Sequence, residues 1–204
     1  MMDAASRGSA SLGFAPHSGW AALVVVAGPP RSPEVVLRQR IEMTDRAPGA
    51  AQPYHAVEGR PLAEATRRIA GYKRSADALA YEAVRSVVEE LKARGYAPVA
   101  SGILQSSGRE GASLEAILAS HALIHTADGN HFRDALAQAS RRCGLAVVPV
   151  PQKTLAERAS QALGEPAARL QATVQGFKKV MGAPWGVDQK SAALVAWMLV
   201  AHES

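Results

Sequence analysis

Ser11-Leu12-Gly13-Phe14-Ala15-Pro16-His17-Ser18-Gly19-Trp20-Ala21-Ala22-Leu23-Val24-Val25-Val26-Ala27 is the stretch whose reading decides the fold. Ser11–Pro16 reads as a short strand, His17-Ser18-Gly19 as a turn or bulge, and Trp20–Ala27 as a second, strongly apolar strand. Gly28-Pro29-Pro30-Arg31-Ser32-Pro33 is a loop by composition. Val35 to Met43 then alternates, with Val35, Leu37, Ile41 and Met43 on one face and Arg38, Arg40 and Glu42 on the other, as a half-buried strand does. Three β segments joined by short connections predict an antiparallel meander.

Gly19–Ala27 also has the apolar look of a signal-peptide core. Asp3 stands where a basic region belongs, Pro16-His17-Ser18 interrupts the approach, and the run is too short to span a bilayer. A buried strand is the reading that fits, and no membrane partner is expected.

Beyond the meander, Thr44–Arg60 is an irregular connection that can fold over a face of the sheet. Helical spacing over Leu62–Ala70 and Ala76–Arg94 predicts two helices, closed by Gly95. Pro98–Leu104 is a fourth strand, and Gln105–Gly111 a polar loop in which Gly108-Arg109-Glu110-Gly111 lacks the lysine and spacing of a phosphate loop. Ser113 caps a helix that runs to His125, Thr126-Ala127-Asp128-Gly129 is expected to break or re-cap it, and Asn130–Arg142 continues. Leu145–Val150 is a fifth strand, followed by helices over Thr154–Leu163, Ala167–Met181 and Val187–Ala201. Residues 1–9 are small and polar and are expected to be a disordered tail, with 10–204 forming one domain.

Apolar residues make up 48% and charged residues 20% of the 204, the balance of a globular protein with a real core. Cys143 is the single cysteine, which excludes an intramolecular disulfide and a cysteine-based zinc cluster and predicts a reducing, cytoplasmic setting. The formal net charge of +5 permits attraction to nucleic acid. Its carriers are dispersed as pairs, Arg67-Arg68, Lys73-Arg74, Arg141-Arg142 and Lys178-Lys179, and do not form a cationic tract.

The element order, three strands and then helix, strand, helix, strand, helix, resembles the ribonuclease H-like superfamily, and within it the Holliday-junction resolvase branch. Leu12–Trp20 looks like that branch's first hairpin, and Asp188-Gln189-Lys190-Ser191-Ala192-Ala193-Leu194-Val195-Ala196-Trp197 is similar in texture to its last helix. The resemblance implies an α/β, three-layer fold with a mixed five-stranded sheet, three antiparallel strands first and two parallel strands after them, flanked by helices. It also implies acids on the first strand, near the end of the fourth and on the last helix, holding divalent metals for two-metal cleavage. Here the first acid falls on Ala15, the fourth-strand acid falls in Ile103-Leu104-Gln105 where no carboxylate exists, and Asp188 alone remains. One carboxylate cannot supply the oxygen ligands a hard cation requires. The site is therefore expected to be degenerate.

Ser120-His121-Ala122-Leu123-Ile124-His125-Thr126-Ala127-Asp128 is the most specific local feature. On a continuous helix His121, His125 and Asp128 share one face, where two imidazoles and a carboxylate can hold a transition metal or pair as base and orienting acid. Asp128 capping the helix that starts at Asn130 is the plainer alternative. If the fold is as the resemblance implies, His17, His55, His121, His125, Asp128, Asp188 and Lys190 form a candidate pocket near the carboxyl ends of the central strands, with Tyr54-His55 closing over it. Trp20, Trp185 and Trp197 are read as packing residues, and Arg38 and Arg40 as a solvated face with phosphate or partner contact as the alternative.

The function expected is that of a ribonuclease H-like protein lacking standard two-metal nuclease activity and engaging nucleic acid through its basic surface. The alternative is a metal-dependent hydrolase or nuclease using the His/Asp set, with a divalent metal as cofactor. A third reading is an assembly protein that pairs through a sheet edge, as a homodimer does.

Overall fold

The computed structural model describes residues 7–45, 47–106 and 111–201. β1 (Ser9–His17), β2 (Trp20–Ala27) and β3 (Glu34–Glu42) form the antiparallel meander, and β4 (Ala97–Gln105) and β5 (Ala146–Pro151) add to it in parallel. The strand order is β3-β2-β1-β4-β5, so the mixed five-stranded sheet has β1 at its centre. β1 takes in Ser9, which composition had assigned to the tail, and the Arg7 N–H donates to the Gly95 carbonyl. Residues 1–6 and the Gly108-Arg109-Glu110 part of the polar loop lie outside the described residues.

The period-2 alternation of β1 and β2 sorts their side chains between two helical layers. Leu12, Phe14, Leu23 and Val25 pack with α1 (Leu62–Ala93) and α3 (His121–Arg142). Ala15, Ala22, Val24 and Val26 face the other way, against α7 (Val187–Val200), which α4 (Leu155–Leu163) and α5 (Ala167–Gly176) cover from outside. Every residue from Ala192 to Val200 is buried, as expected of a helix enclosed between a sheet and an outer layer.

α7 reaches the sheet through two glycines that are partners across the β1–β4 ladder. A Cβ on Gly13 would lie 1.9 Å from the Ala192 carbonyl oxygen, and one on Gly102 would lie 2.2 Å from Val195 Cγ1. Helix backbone therefore rests on strand backbone at Gly13, and the side chains of Val195 and Leu199 fill the space over Gly102.

Three element boundaries differ from the sequence expectation. Leu62–Ala93 is one 32-residue helix, where Gly71–Ser75 had suggested a gap. Lys73 pairs with Asp77 one turn on, Tyr72 Oη donates to the Pro48 carbonyl, and Ser75 Oγ donates to Asp45, so the doubtful turn is pinned from both sides. α3 runs unbroken through Thr126–Gly129, and the break from α2 (Leu114–Leu118) falls at Ala119-Ser120. The Thr126 hydroxyl satisfies itself on the Ala122 carbonyl, and Asp128 is engaged outside its own helix, so neither caps. Ala167–Met181 divides at Phe177, which sets its ring edge-on to Trp185, into α5 and the single turn α6 (Lys178–Met181).

Both sheet edges carry features that discourage strand addition. β5 is short and bears Pro149 and Pro151, which donate no ladder hydrogen bond. On β3, Arg38 Nη1 donates to the carbonyls of Gly182 and Pro184, tying the segment after α6 to the edge strand, while Arg40 pairs with Glu42 and stacks on Trp20. Both arginines, open to a phosphate reading in the sequence, are thus committed to intrachain contacts. Trp185 and Trp197 bury their rings and donate Nε1–H to the carbonyls of Val174 and Pro30. No helix among the described residues is long and apolar enough to cross a membrane.

Gly13→Ala is expected to lower the unfolding free energy in urea by about 1–3 kcal/mol or more, because the added methyl must displace α7. Gly71→Ala, in open space on α1, is expected to raise it by about 0.5–1 kcal/mol. Equal effects of the two would mean that α7 does not sit on β1 as described.

Candidate functional site

β3 runs in the same direction as β1, so the connection that leaves it, the end of β1 and the end of β4 all lie at the carboxyl end of the central strands. The seven candidate residues occupy this region as two groups, divided by the sheet. On the α7 face, His17 Nε2 lies 3.0 Å from Asp188 Oδ1, with the two side chains 41% and 36% exposed. The His17 ring stacks on Trp20, with centroids 4.3 Å apart and an interplanar angle of 11°. Lys190, one turn into α7, has no ion-pair partner among the described residues and lines a cleft between α5 and α7.

On the α1–α3 face, His121 and His125 project from the first turns of α3, and the connection after β3 brings His55 against them in a short 3-10 turn, His55–Val57. One ring nitrogen from each of the three lies within 4.8 Å of the others. His121 Nε2 and His125 Nε2 are 3.1 Å apart. The His55 ring meets that of His125 at 4.5 Å between centroids and that of His121 at 5.3 Å. Among the described residues this is the only set of three or more His, Cys, Asp or Glu side chains with ligand atoms so close.

Asp128, read from the sequence as a third ligand beside His121 and His125, holds a different place. It is 3% exposed, and its two oxygens are taken: Oδ1 accepts the Tyr54 backbone N–H at 2.7 Å, and Oδ2 lies 2.5 Å from His55 Nδ1. A carboxylate accepts, so Nδ1 is the donor in this contact and Nε2 is the ring nitrogen left over for a ligand. No hydrogen bond, ion pair or ring contact among the described residues joins this group to His17 and Asp188.

No family model matches the chain, and no curated protein matches it. Solved structures do match. Thermus thermophilus RuvC in complex with a Holliday junction substrate aligns with a TM-score of 0.57 at 12% identity, over 96% of this chain and 94% of that one. A second Thermus thermophilus RuvC structure aligns with a TM-score of 0.57 at 12% identity, over 95% of each chain. The chain has their ribonuclease H-like fold.

On this ribonuclease H-like sheet, Ala15 lies on the α7 face of β1, between Gly13 against Ala192 and His17 against Asp188. Ala15 and Leu104 of β4 are both buried in the apolar cluster that includes Trp185 and Ala192. Of the strand positions where the resemblance implies acids, Ala15 and Leu104 lie in apolar packing, and Gln105 at the end of β4 is partly buried.

Sequence reading passed over His131, although it stands three residues after Asp128 on the same helix. It is 6% exposed, hydrogen-bonds to the backbone of Tyr72, and has no hydrogen-bond partner for Nε2 among the described residues. Burial depresses its pKa below the usual imidazole value, with a further push from Lys73. The Tyr54 ring stands edge-on to it, and burial, reinforced by the negative charges of Asp134 and Asp128, raises the Tyr54 phenol. The cleft lined by Gln152, Gln171 and Gln175 also had no sequence signal, because its walls come from separate helices.

Two outcomes follow. His17 and Asp188 are half in solvent, so Asp188→Ala is expected to cost less than about 1 kcal/mol of stability by urea denaturation. Burial holds the His131 imidazole below the 6.5 at which its unfolded form takes up a proton. The native state then binds fewer protons, so the stability this residue contributes is complete above that pH and is lost as the pH falls below it. Between pH 7.5 and pH 5.5 the unfolding free energy is expected to fall more steeply for the natural chain than for His131→Gln. Parallel curves would count against a buried neutral imidazole.

Proposed function

We propose that this protein binds nucleic acid on a ribonuclease H-like scaffold without the acid-held two-metal cleavage associated with that fold, and that it contacts phosphates along the cleft between α5 and α7. The observation that carries this reading is the lysine-edged cleft on the α7 face that also carries the His17–Asp188 pair. A cavity of about 670 Å³ is bounded by Gln152, Gln171 and Gln175 together with Val187, Lys190 and Ser191 from the first turns of α7, the helix that carries Asp188. An adjoining hollow shares Ala172 and Gln175 with it and is edged by Lys178 and Lys179. None of these lysines has a carboxylate within ion-pair distance among the described residues, whereas Lys73, Arg60, Arg68, Arg85, Arg94 and Arg169 are all paired. Unpaired ammonium groups next to amide side chains suit a phosphodiester backbone, where cations supply affinity and amides accept or donate to sugar and phosphate. The RuvC structure of the same fold is a complex with a Holliday junction, which supports a nucleic acid as the ligand class.

Cleavage is disfavoured by chemistry at the strand ends. A hard divalent cation takes six or more oxygen ligands, and the apolar Ala15 and Leu104 offer none. Asp188 keeps one carboxylate there, already paired with His17.

A four-way DNA junction and a linear duplex, titrated at two salt concentrations, test both halves of the proposal. Binding is expected to weaken with salt, and Lys178→Ala/Lys179→Ala is expected to flatten the log–log salt slope by about 0.9 for each phosphate no longer neutralised. No strand scission is expected with Mg²⁺ or Mn²⁺. Absent or salt-independent binding would overturn the first half. Metal-dependent scission abolished by Asp188→Asn would overturn the second.

A further inference from the structure

We infer that His55, His121 and His125 form a binding site for a divalent transition-metal ion of the zinc type, with Asp128 as the positioning residue for His55 and the fourth coordination position open to solvent. This centre is separate from the proposed nucleic-acid cleft and does not depend on it.

Geometry carries the first step. With metal–nitrogen bonds of about 2.0–2.1 Å, two imidazole nitrogens on a tetrahedral ion stand about 3.3 Å apart. His121 Nε2 and His125 Nε2 are already 3.1 Å apart, set by one turn of α3. The third nitrogen lies within 4.8 Å of both, so a small rotation of one ring completes the triangle. A hydrogen bond between His121 and His125 could account for their separation alone. It does not account for His55, whose ring is held beside both by the Asp128 carboxylate, the same group that accepts the Tyr54 backbone N–H.

That carboxylate is the second, independent observation. Burying an ion costs free energy unless it is fully hydrogen-bonded, and Asp128 is buried with both oxygens committed to the Tyr54–His55 segment. The result is a carboxylate–histidine pair aimed at a shared point, the arrangement by which metal-binding imidazoles are held in one tautomer and one orientation.

Donor chemistry sets the class of ion. Three neutral imidazoles suit Zn²⁺ and its first-row neighbours, whereas Mg²⁺ and Ca²⁺ require oxygen. His121 and His125 are exposed, so the site is accessible, and three protein ligands leave one position for water or a ligand atom. Because His55 comes from the β3–α1 connection and the other two from α3, a bound ion would also fasten that connection to the helix.

The experiment uses the full-length, tag-free chain stripped of metal. Zn²⁺ is titrated against a chromophoric chelator, and metal content is measured after dialysis. One ion per chain is expected, with a melting temperature that rises with Zn²⁺ and does not respond to Mg²⁺. His121→Ala and His125→Ala, both on exposed positions that the fold tolerates, should abolish retention. Asp128→Asn should keep the stoichiometry and weaken affinity by about 10–100-fold. His17→Ala should leave binding unchanged. Melting of each metal-free variant distinguishes loss of the site from loss of the fold. Retention well below one ion per chain, or binding that survives the His121→Ala/His125→Ala double substitution, would overturn the inference, whatever the outcome with DNA.

Discussion

Close contact between α7 and the paired glycines of β1 and β4, backbone on backbone at Gly13 and through Val195 and Leu199 at Gly102, constrains the rest of the molecule. Gly13 and Gly102 are register partners, and together they present a strip without side chains on which Ala192 and Val195 rest. A helix seated this closely has little freedom to shift or rotate. Its first turn is consequently delivered to the end of β1, where Asp188 meets His17. The same seating buries Ala15 and Leu104 under α7 and closes in apolar contact the place where strand-borne acids would project.

The sheet separates two chemistries at one end of the molecule. On the α7 side are a half-exposed His–Asp pair and a cleft edged by lysines that have no ion-pair partner among the described residues. On the α1–α3 side, three imidazoles face one another in front of a buried carboxylate. Asp128 links fold to site, since by accepting from the Tyr54 backbone and from His55 it anchors an irregular connection onto α3 and orients a side chain in the same act. The nitrogen-rich group lies across the sheet from the His17–Asp188 pair, so the two groups form separate sites.

The strands were legible in the sequence because their signal is local. Apolar runs and the Arg38–Glu42 alternation placed all five strands to within a few residues, and element order gave the sheet its topology. Helix boundaries were less legible where distant residues decide them. Gly71 looks like a break until Pro48 and Asp45 are seen holding the same turn, and Asp128 looks like a cap until Tyr54 and His55 claim it. At the site, the i, i+4 spacing of His121 and His125 was readable, and His55 entered the candidate pocket only through the expected fold. That it stands beside those two was hidden, because it comes some 66 residues earlier than His121, where spacing carries no information. The division of the candidate residues into two groups was equally hidden, because it depends on which face of the sheet each segment crosses.

The central claim is that the metal-binding centre of this protein is built from imidazoles and not from the fold's strand acids. Anomalous diffraction from crystals grown with Zn²⁺, and from others grown with Mn²⁺, tests it most directly. A Zn²⁺ peak enclosed by His55, His121 and His125, with no Mn²⁺ peak near Asp188, is the predicted result. A Mn²⁺ peak between Asp188 and the end of β4, with none among the three histidines, would contradict it.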